Sequence, residues 1–310
     1  MPGNSVDVSV IVPTTGRHSV IAAVESALAQ TAPPHEVLVI AARPIDEDLR
    51  LTLTRQAGVR IIDAPAPLAG GAARNLGFKE ARCTWVALLD DDDTWQPHKL
   101  ETQLVDADPS KRMLLACAVR PTTRDAVWPI QSPFSFVDLS EFFFVRQGAS
   151  QGNYLQTSGL VCPRNLALEC SFDENLPILQ DIDWVLRLTK IHGAKLAFSD
   201  EPLVSYETGN SSVSTAPRVD ECRQWARDHR DLLTPQAHSA FMLTVVAERA
   251  ARGWDLPAFG GALRDAMKVG DWRSRDVALA FGFLAYRPWI RHLRDRLAHR
   301  NAISVRDQIR

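Results

Sequence analysis

A chain of 310 residues, 45% hydrophobic and 23% charged, has the composition of an ordinary globular protein and can bury one large core or two smaller ones. Its formal net charge of −2 gives no global case for a nucleic-acid partner. The five cysteines are odd in number and include no C-x-x-C pair, which points to buried thiols in a reducing cytoplasm. The opening Met-Pro-Gly-Asn-Ser-Val-Asp lacks the basic and apolar regions of a signal peptide, and no stretch reaches the ~18 apolar residues of a spanning helix, so neither secretion nor membrane insertion is expected.

In chain order, Val8 to Pro13 reads as a buried strand, and the segment from His18 to Gln30 carries Ile21, Val24 and Leu28 at helical spacing. Glu36 to Ile40 is the next strand, completing a β-α-β unit that favours a parallel sheet with right-handed crossovers. A helix over 46–56 leads to a third strand at Val59 to Ile62, and Gly70-Gly71 opens a helix through Ala73, Leu76 and Ala81. Trp85 to Leu89 is a continuous apolar strand, as expected where both faces of a sheet are covered. Farther on, Leu114 to Val119 and Thr157 to Cys162 read as strands, 122–135 as irregular, and Phe142-Phe143-Phe144 as core. A helix bears Trp184, Leu188 and Ile191, and Lys195 to Phe198 and Pro202 to Tyr206 read as two short strands. From Val219 onward the pattern is helical, with breaks expected at Gly253, Gly260-Gly261 and Gly270.

The apolar strand at Trp85 ends in Asp90, Asp91, Asp92 and Asp93, four consecutive carboxylates that repel one another unless water, a divalent metal or a basic side chain dilutes the charge. Ligands in open α/β sheets bind beyond the carboxyl ends of the strands, and hard oxygen donors there suit Mg2+ or Mn2+ holding a substrate's phosphates. The alternative is a solvated acidic turn before a helix at Pro97. A second acidic group, Gln180-Asp181-Ile182-Asp183-Trp184, stands where a helix begins. Carboxylates in a first helical turn are favoured by the macrodipole whatever their function, yet Asp181 at the helix mouth is also placed to act as a general base, with Asp183 bracing the loop.

Taken together, Val8-Ser-Val-Ile-Val-Pro-Thr14, Glu25-Ser-Ala-Leu-Ala-Gln30, Ala73-Arg-Asn-Leu-Gly77, Leu89-Asp-Asp-Asp-Asp93 and Asp181-Ile-Asp-Trp-Val-Leu-Arg187 resemble glycosyltransferase family 2 over about residues 6 to 210. The resemblance implies an α/β GT-A fold, Rossmann-like, with a mostly parallel central sheet flanked by helices and followed by a helical C-terminal extension. It implies a catalytic domain over 1–215, with a nucleotide-sugar half (1–95) and an acceptor half (96–215), and a helical region over 216–310. It further implies an inverting transferase that uses a nucleotide-diphosphate sugar with Mn2+ or Mg2+, and a saccharide or lipid-linked saccharide acceptor in cell-surface polysaccharide assembly.

Carried over by motif, Pro13 and Thr14 line the nucleotide pocket and Arg74 approaches the base or phosphates. Asp90-Asp91-Asp92 matches the D-x-D triplet, with Asp90 and Asp91 toward the nucleotide sugar and Asp92 on the metal. Asp181 matches the catalytic base, Thr157, Ser158 and Gly159 match the segment under the acceptor, and Asp93, Asp183 and Trp184 are supporting residues. Arg187 is expected to brace its helix. Gln180 stands where the family usually has an acid beside the base, which removes a charge that would raise the pKa of Asp181. Ala41-Ala42-Arg43 stands where base-reading Asp residues are usual, and Glu207-Thr208-Gly209-Asn210 where many relatives carry a His. His98, near the acidic loop, is read as structural or exposed. These departures motivate the alternative of a non-catalytic, glycosyltransferase-like binding subunit. A sugar-phosphate nucleotidyltransferase fits less well, because Thr14-Thr15-Gly16-Arg17 is a poor phosphate loop.

Gln224-Trp225-Ala226-Arg227 does not fit the Q-x-x-R-W motif of processive members, so addition of a single sugar is expected. From Arg273 to Arg310 nine Arg face three Asp, a net +6, beside the apolar run Val277 to Tyr286. An aromatic, basic end of this kind suits a peripheral hold on the inner face of a membrane over 277–310, or equally a terminal helix with a solvated Arg face.

Overall fold

The computed structural model describes residues 6–146, 153–208 and 218–285. The chain divides into two compact units, residues 1–139 with 153–214, and residues 140–152 with 215–310.

The first unit is built on one sheet of eight strands. These are β1 (Val6–Thr14), β2 (Pro34–Ala41), β3 (Val59–Asp63), β4 (Trp85–Leu88), β5 (Thr94–Trp95), β6 (Met113–Pro121), β7 (Val161–Pro163) and β8 (Lys195–Tyr206), in spatial order β3-β2-β1-β4-β7-β6-β8-β5. Neighbours from β3 through β4 are parallel, as are β6 and β8, whereas β7 is antiparallel to both its neighbours and β5 to β8. The carboxyl ends of β1, β4, β6 and β8 therefore share one edge, where the antiparallel β5 and β7 begin. Val8, Val10, Val12, Val37, Val39, Trp85 and Ala87 are buried in the core beneath it.

Local chemistry explains the helices that frame this edge. In α1 (Val20–Leu28) Val20, Ala23, Val24 and Ala27 form the buried stripe. In α2 (Glu47–Thr54) the Asp46 carboxylate caps Leu49 N–H at 2.8 Å, and Glu47 and Asp48 occupy the first turn. Helix α3 (Gly70–Glu80) lies tight on β1: a Cβ on Gly77 would sit 2.4 Å from Ile11 Cγ2, so only glycine fits. Asn75 on the same helix exchanges two bonds of 2.9 Å with the Phe172 backbone. The sequence Ala73-Arg-Asn-Leu-Gly77 thus encodes a packing contact and a loop clamp as well as a cation.

Helices α4 (Lys99–Leu104) and α6 (Arg164–Glu169) follow β5 and β7, and α5 (Leu139–Phe144) lies, but for its first residue, in the second unit. In α7 (Gln180–Lys190) Trp184 stacks on Phe172 (4.5 Å between centroids) and Phe78 (5.8 Å). Asp183, fully buried, pairs with Arg187 at 2.7 Å, and Arg187 Nη1 bonds Ser171 O at 2.9 Å. Arg187 thereby ties its own helix to the preceding loop.

Three local expectations are corrected, and one strand, β5, left no expectation to correct. The segment Thr157–Gly159 is a 3-10 turn before β7 rather than part of a strand, because its polar groups bond the acidic loop and Trp95 instead of a ladder. Lys195–Tyr206 is one strand rather than two, its register against β6 shifting near Cys117 and Ala118. Strand β5 is only two residues long, too short to leave a periodic signal. Gly260-Gly261 does not break its helix.

The second unit is helical: α8 (Val219–Asp228), α9 (Pro235–Phe241), a π turn Met242–Val246, α10 (Ala247–Gly253), α11 (Leu256–Val269) and a helical stretch over 274–285. Helix α11 runs through Gly260-Gly261 because Arg223, paired with Asp265 at 2.7 Å, packs where a Gly261 side chain would stand. Phe144 meets Phe241 (4.8 Å) and Trp225 (6.0 Å), so the Phe142-Phe143-Phe144 cluster is core, as expected. No helix among the described residues is long and apolar enough to cross a membrane. The basic end of the 277–310 segment lies outside the described residues.

Candidate active site

The four carboxylates lie in the turn between β4 and β5, on the edge where strands β1, β4, β6 and β8 end, and each accepts at least one hydrogen bond. Arg74, whose side chain is only 10% exposed, reaches from α3 to Asp90 Oδ1 at 2.6 Å. Arg17, in the loop between β1 and α1, forks across the next two, bonding Asp92 Oδ2 at 2.7 Å and both oxygens of Asp91. Thr14 Oγ1 donates to Asp91 Oδ2 at 2.6 Å, so this buried hydroxyl holds the acidic turn. Asp93 is fully buried, accepting from Ser158 Oγ at 2.5 Å and from Glu207 N–H at 2.9 Å. Ser158 Oγ also accepts Asp90 N–H at 3.0 Å, and Trp95 Nε1 fixes Ser158 O at 2.8 Å.

These contacts resolve the charge problem set by the sequence. The cationic groups that the run requires are two guanidinium groups, and Arg17 is the one sequence reasoning missed. The spacing of Arg17 to the run, more than seventy residues, offers no local signal, and only the parallel pairing of β1 with β4 brings them together. Burial raises the pKa of Asp92, with Asp90 and Asp91 adding to it and Arg17 opposing. Asp93 is pushed up to about 7, chiefly by burial and then by Asp90.

Asp181 enters from the first turn of α7. Burial raises its pKa, while Arg74 and a hydrogen bond from Thr157 oppose the rise. With Gln180 beside it the usual neighbouring charge is absent, yet desolvation, joined by the charge of Asp90, still lifts it. The residue before this helix turn, Leu179, has φ +64°, the left-handed region that a branched side chain rarely adopts. Such strain concentrates at functional sites. Arg74 is thus the common counter-charge of Asp90 and Asp181 and links the two acidic motifs electrostatically.

Other candidate residues separate clearly. Pro13 is partly exposed beside Thr14, Thr157, Ser158 and Gly159 are buried under the acidic turn, and a Gly159 side chain would meet Cys117 at 3.2 Å. Trp184, Asp183 and Arg187 are on α7 itself, Trp184 stacked on Phe172 and the Asp183–Arg187 pair tied to the preceding loop. Ala41 and Ala42 are buried at the end of β2, and Arg43 is exposed. His98 bonds Glu201 at 2.8 Å and so braces the outer strands.

Among the described residues no three His, Cys, Asp or Glu side chains converge as a metal cage. The donor chemistry nevertheless fits a hard divalent ion. Asp92 presents carboxylate oxygens, is 33% exposed and is held by a half-exposed arginine, and ions such as Mg2+ commonly take one or two carboxylates and complete their shell with water and phosphate.

Comparison with known proteins agrees with this geometry. The model of glycosyl transferase family 2 matches residues 9–161, about half of the chain. The amylovoran biosynthesis glycosyltransferase AmsB of Erwinia amylovora is 28% identical over 156 residues, covering 48% of this chain and 50% of that protein. The succinoglycan biosynthesis protein ExoO of Rhizobium meliloti is 36% identical over 91 residues, covering 29% and 26% respectively. The chain therefore spans half or less of the length of these relatives. Among solved structures, S. aureus TarS 1-349 in complex with UDP-GlcNAc is similar with a TM-score of 0.58 at 17% identity, over 84% of this chain and 81% of that one. The mannosyltransferase PcManGT from Pyrobaculum calidifontis, in complex with GDP-Man and Mn2+, gives 0.55 at 17% identity, over 93% and 84%. At that identity the likeness is one of fold, the GT-A arrangement of a mixed sheet flanked by helices. With its residues 9–161 carrying the matched domain, the chain belongs to glycosyltransferase family 2.

Proposed function

We propose that the protein is an inverting glycosyltransferase that moves a single sugar from a nucleotide-diphosphate donor to a saccharide or lipid-linked saccharide acceptor in polysaccharide biosynthesis. The observation that carries this reading is the placement of two acidic motifs, the turn Asp90 to Asp93 and Asp181, around one buried guanidinium, Arg74. The names of AmsB and ExoO support the polysaccharide setting, and the ligands named for TarS and PcManGT support a nucleotide-sugar donor.

In this reading the donor lies beyond β1 and β4, with Pro13, Thr14, Asp90 and Asp91 toward the nucleotide and Arg74 toward the diphosphate. Asp92 is the protein's ligand for Mn2+ or Mg2+, which when bound supplies neutralising charge to the departing diphosphate. Asp181 accepts the proton of the acceptor hydroxyl as its oxygen bonds the anomeric carbon, and the sugar–phosphate bond breaks with its electron pair leaving on the nucleoside diphosphate. One displacement inverts the anomeric centre. Burial holds the Asp181 carboxylate poorly solvated and so more basic than a surface aspartate. Residues 1–95 then form the donor half of the catalytic domain and 96–215 the acceptor half. Residues 216–310 follow the catalytic domain, and in this reading their basic end suits an anionic inner membrane leaflet, with the protein acting from the cytoplasm.

Calorimetry with UDP-, GDP- and dTDP-sugars, with and without Mn2+, tests the reading. Metal-dependent binding of one donor, lost in Asp92→Ala, is expected. Binding of no donor under any condition would favour a non-catalytic subunit, in line with the buried Ala41-Ala42 pair where base-reading carboxylates are usual.

A further inference from the structure

Three rings occupy the same sheet edge on the side away from β1 and β2. Tyr206 is the last residue of β8, and Trp128 is held to β6 by paired backbone bonds with Val119 of 2.7 and 2.9 Å. Tyr154 lies three residues before the Thr157–Gly159 turn. Their centroids are 5.4 Å (Trp128 to Tyr154), 6.3 Å (Trp128 to Tyr206) and 6.4 Å (Tyr154 to Tyr206) apart, at interplanar angles of 71°, 50° and 65°. Each is half-buried, Trp128 and Tyr206 packing in part against the hydrophobic core, so the scaffold fixes their positions while part of each residue stays accessible.

The trio borders both acidic motifs. Glu207, next to Tyr206, holds Asp93 through its N–H, and Thr157, near Tyr154 in the chain, bonds Asp181. The Tyr206 phenol is pushed up to about 12, first by burial and then by the charges of Asp93, Asp90, Asp92 and Asp181. Rings beside carboxylates complement a pyranose, whose C–H face is apolar and whose rim carries hydroxyl donors; Tyr and Trp offer such amphipathic surface at low entropic cost. In the sheet order β7 stands between β4, which carries the acidic turn, and β6, so the trio lies on the side opposite the proposed nucleotide contacts.

We propose that Trp128, Tyr154 and Tyr206 form the seat of the acceptor saccharide, stacking on the apolar face of a pyranose whose attacking hydroxyl faces Asp181. The assignment rests on the glycosyl-transfer reading of the acidic turn. Saturation-transfer NMR with methyl β-D-glucopyranoside, methyl β-D-galactopyranoside and methyl α-D-mannopyranoside reads the contact directly, without turnover. Ring-proton saturation from at least one is expected with the parent protein, about tenfold weaker apparent affinity in Trp128→Leu and Tyr154→Leu, and retention in Tyr154→Phe, which keeps the ring. Circular dichroism confirms that each variant is folded, and the Phe variant keeps the test valid if a Leu variant is not. Calorimetry of nucleotide sugars with Mn2+ on the same variants separates the seat from the donor site, since donor affinity stays within about threefold on this assignment. Absence of saturation in the parent protein, undiminished saturation in the Leu variants, or a parallel loss of donor affinity overturns it. If no donor binds but the rings still take up saturation, the transfer reading fails and the saccharide seat stands.

Discussion

Arg17 and Arg74 divide the work of neutralising four adjacent carboxylates, and each division has a measurable consequence. Arg17 bonds Asp92, the carboxylate proposed to hold a divalent ion, so on that proposal the two compete. In Arg17→Gln, Mn2+ added without nucleotide is expected to raise the melting temperature by about 2–4 °C more than in the parent, corresponding to ~1 kcal/mol of tighter binding. An equal or smaller shift would show that Arg17 does not contest the position. Arg74 lowers the pKa of Asp181, and a base acts only when ionised. Arg74→Gln should therefore move the acid limb of the pH–kcat profile toward higher pH, whereas an unmoved limb would remove Arg74 from the electrostatics of the base.

Asp93 allows the sign to be followed on stability. Its folded pKa of about 7 exceeds the ordinary 3.8, so the native state binds the proton more tightly than the unfolded chain. Its contribution is largest below the unfolded value and is lost as pH rises through the window up to about 7. With chelator present, Asp93→Asn should flatten the fall in stability between these limits, since the amide can still accept from Glu207 N–H and donate to Ser158 Oγ. The acidic run itself was legible as a site because like charges next to a buried strand demand compensation. Arg17 and Ser158 were not, because their roles depend on strand pairing across long stretches of chain.

Among the elements, those up to β4 follow from period and, in several cases, punctuation: β3 follows Gly58, the Asp46 side chain caps α2, and α3 opens on Gly70-Gly71. Legibility falls where tertiary contacts override local pattern. The Thr157–Gly159 turn leads straight into the apolar Leu160-Val161-Cys162 and so reads as the start of that strand, yet its polar groups are taken by Asp90, Asp93 and Trp95. Helix α11 runs through two glycines, with the Arg223 guanidinium filling the space beside Gly261. Packing of α3 on β1 gives the sharpest test at this level. Gly77→Ala should destabilise by about 1–3 kcal/mol in denaturant melts through overpacking against Ile11. Combining it with Ile11→Ala, which deletes the opposing methyl groups, should cost less than the two single changes added together. Strict additivity would mean that the helix does not bear on that strand.

For the molecule as a whole, the alternation of strands and helices from Val8 to Leu89 indicated a parallel α/β sheet, and the resemblance carried by the motifs together with the helical pattern from Val219 onward indicated the helical remainder. The assignment of residues 140–146 to the helical unit was not legible, because that segment sits between two pieces of the sheet-bearing unit and joins the other through Phe144, Trp225 and Phe241. All five cysteines are buried and free, and burial pushes the thiols of Cys83, Cys117, Cys170 and Cys222 up to about 11. The folded protein should accordingly leave a thiol reagent at pH 8 almost unconsumed, and all five should react in denaturant. Rapid labelling of the native chain would contradict the packing of both units.

In the proposed mechanism Asp181 takes the acceptor's proton opposite a donor held at the Asp90 to Asp93 turn. Its most direct measurement is the turnover of Asp181→Asn with the donor identified by calorimetry, read together with that donor's Kd. A fall in kcat of about 10²–10⁴-fold with Kd essentially unchanged is the predicted result. Turnover at the parental rate, with the donor bound as before, would contradict it.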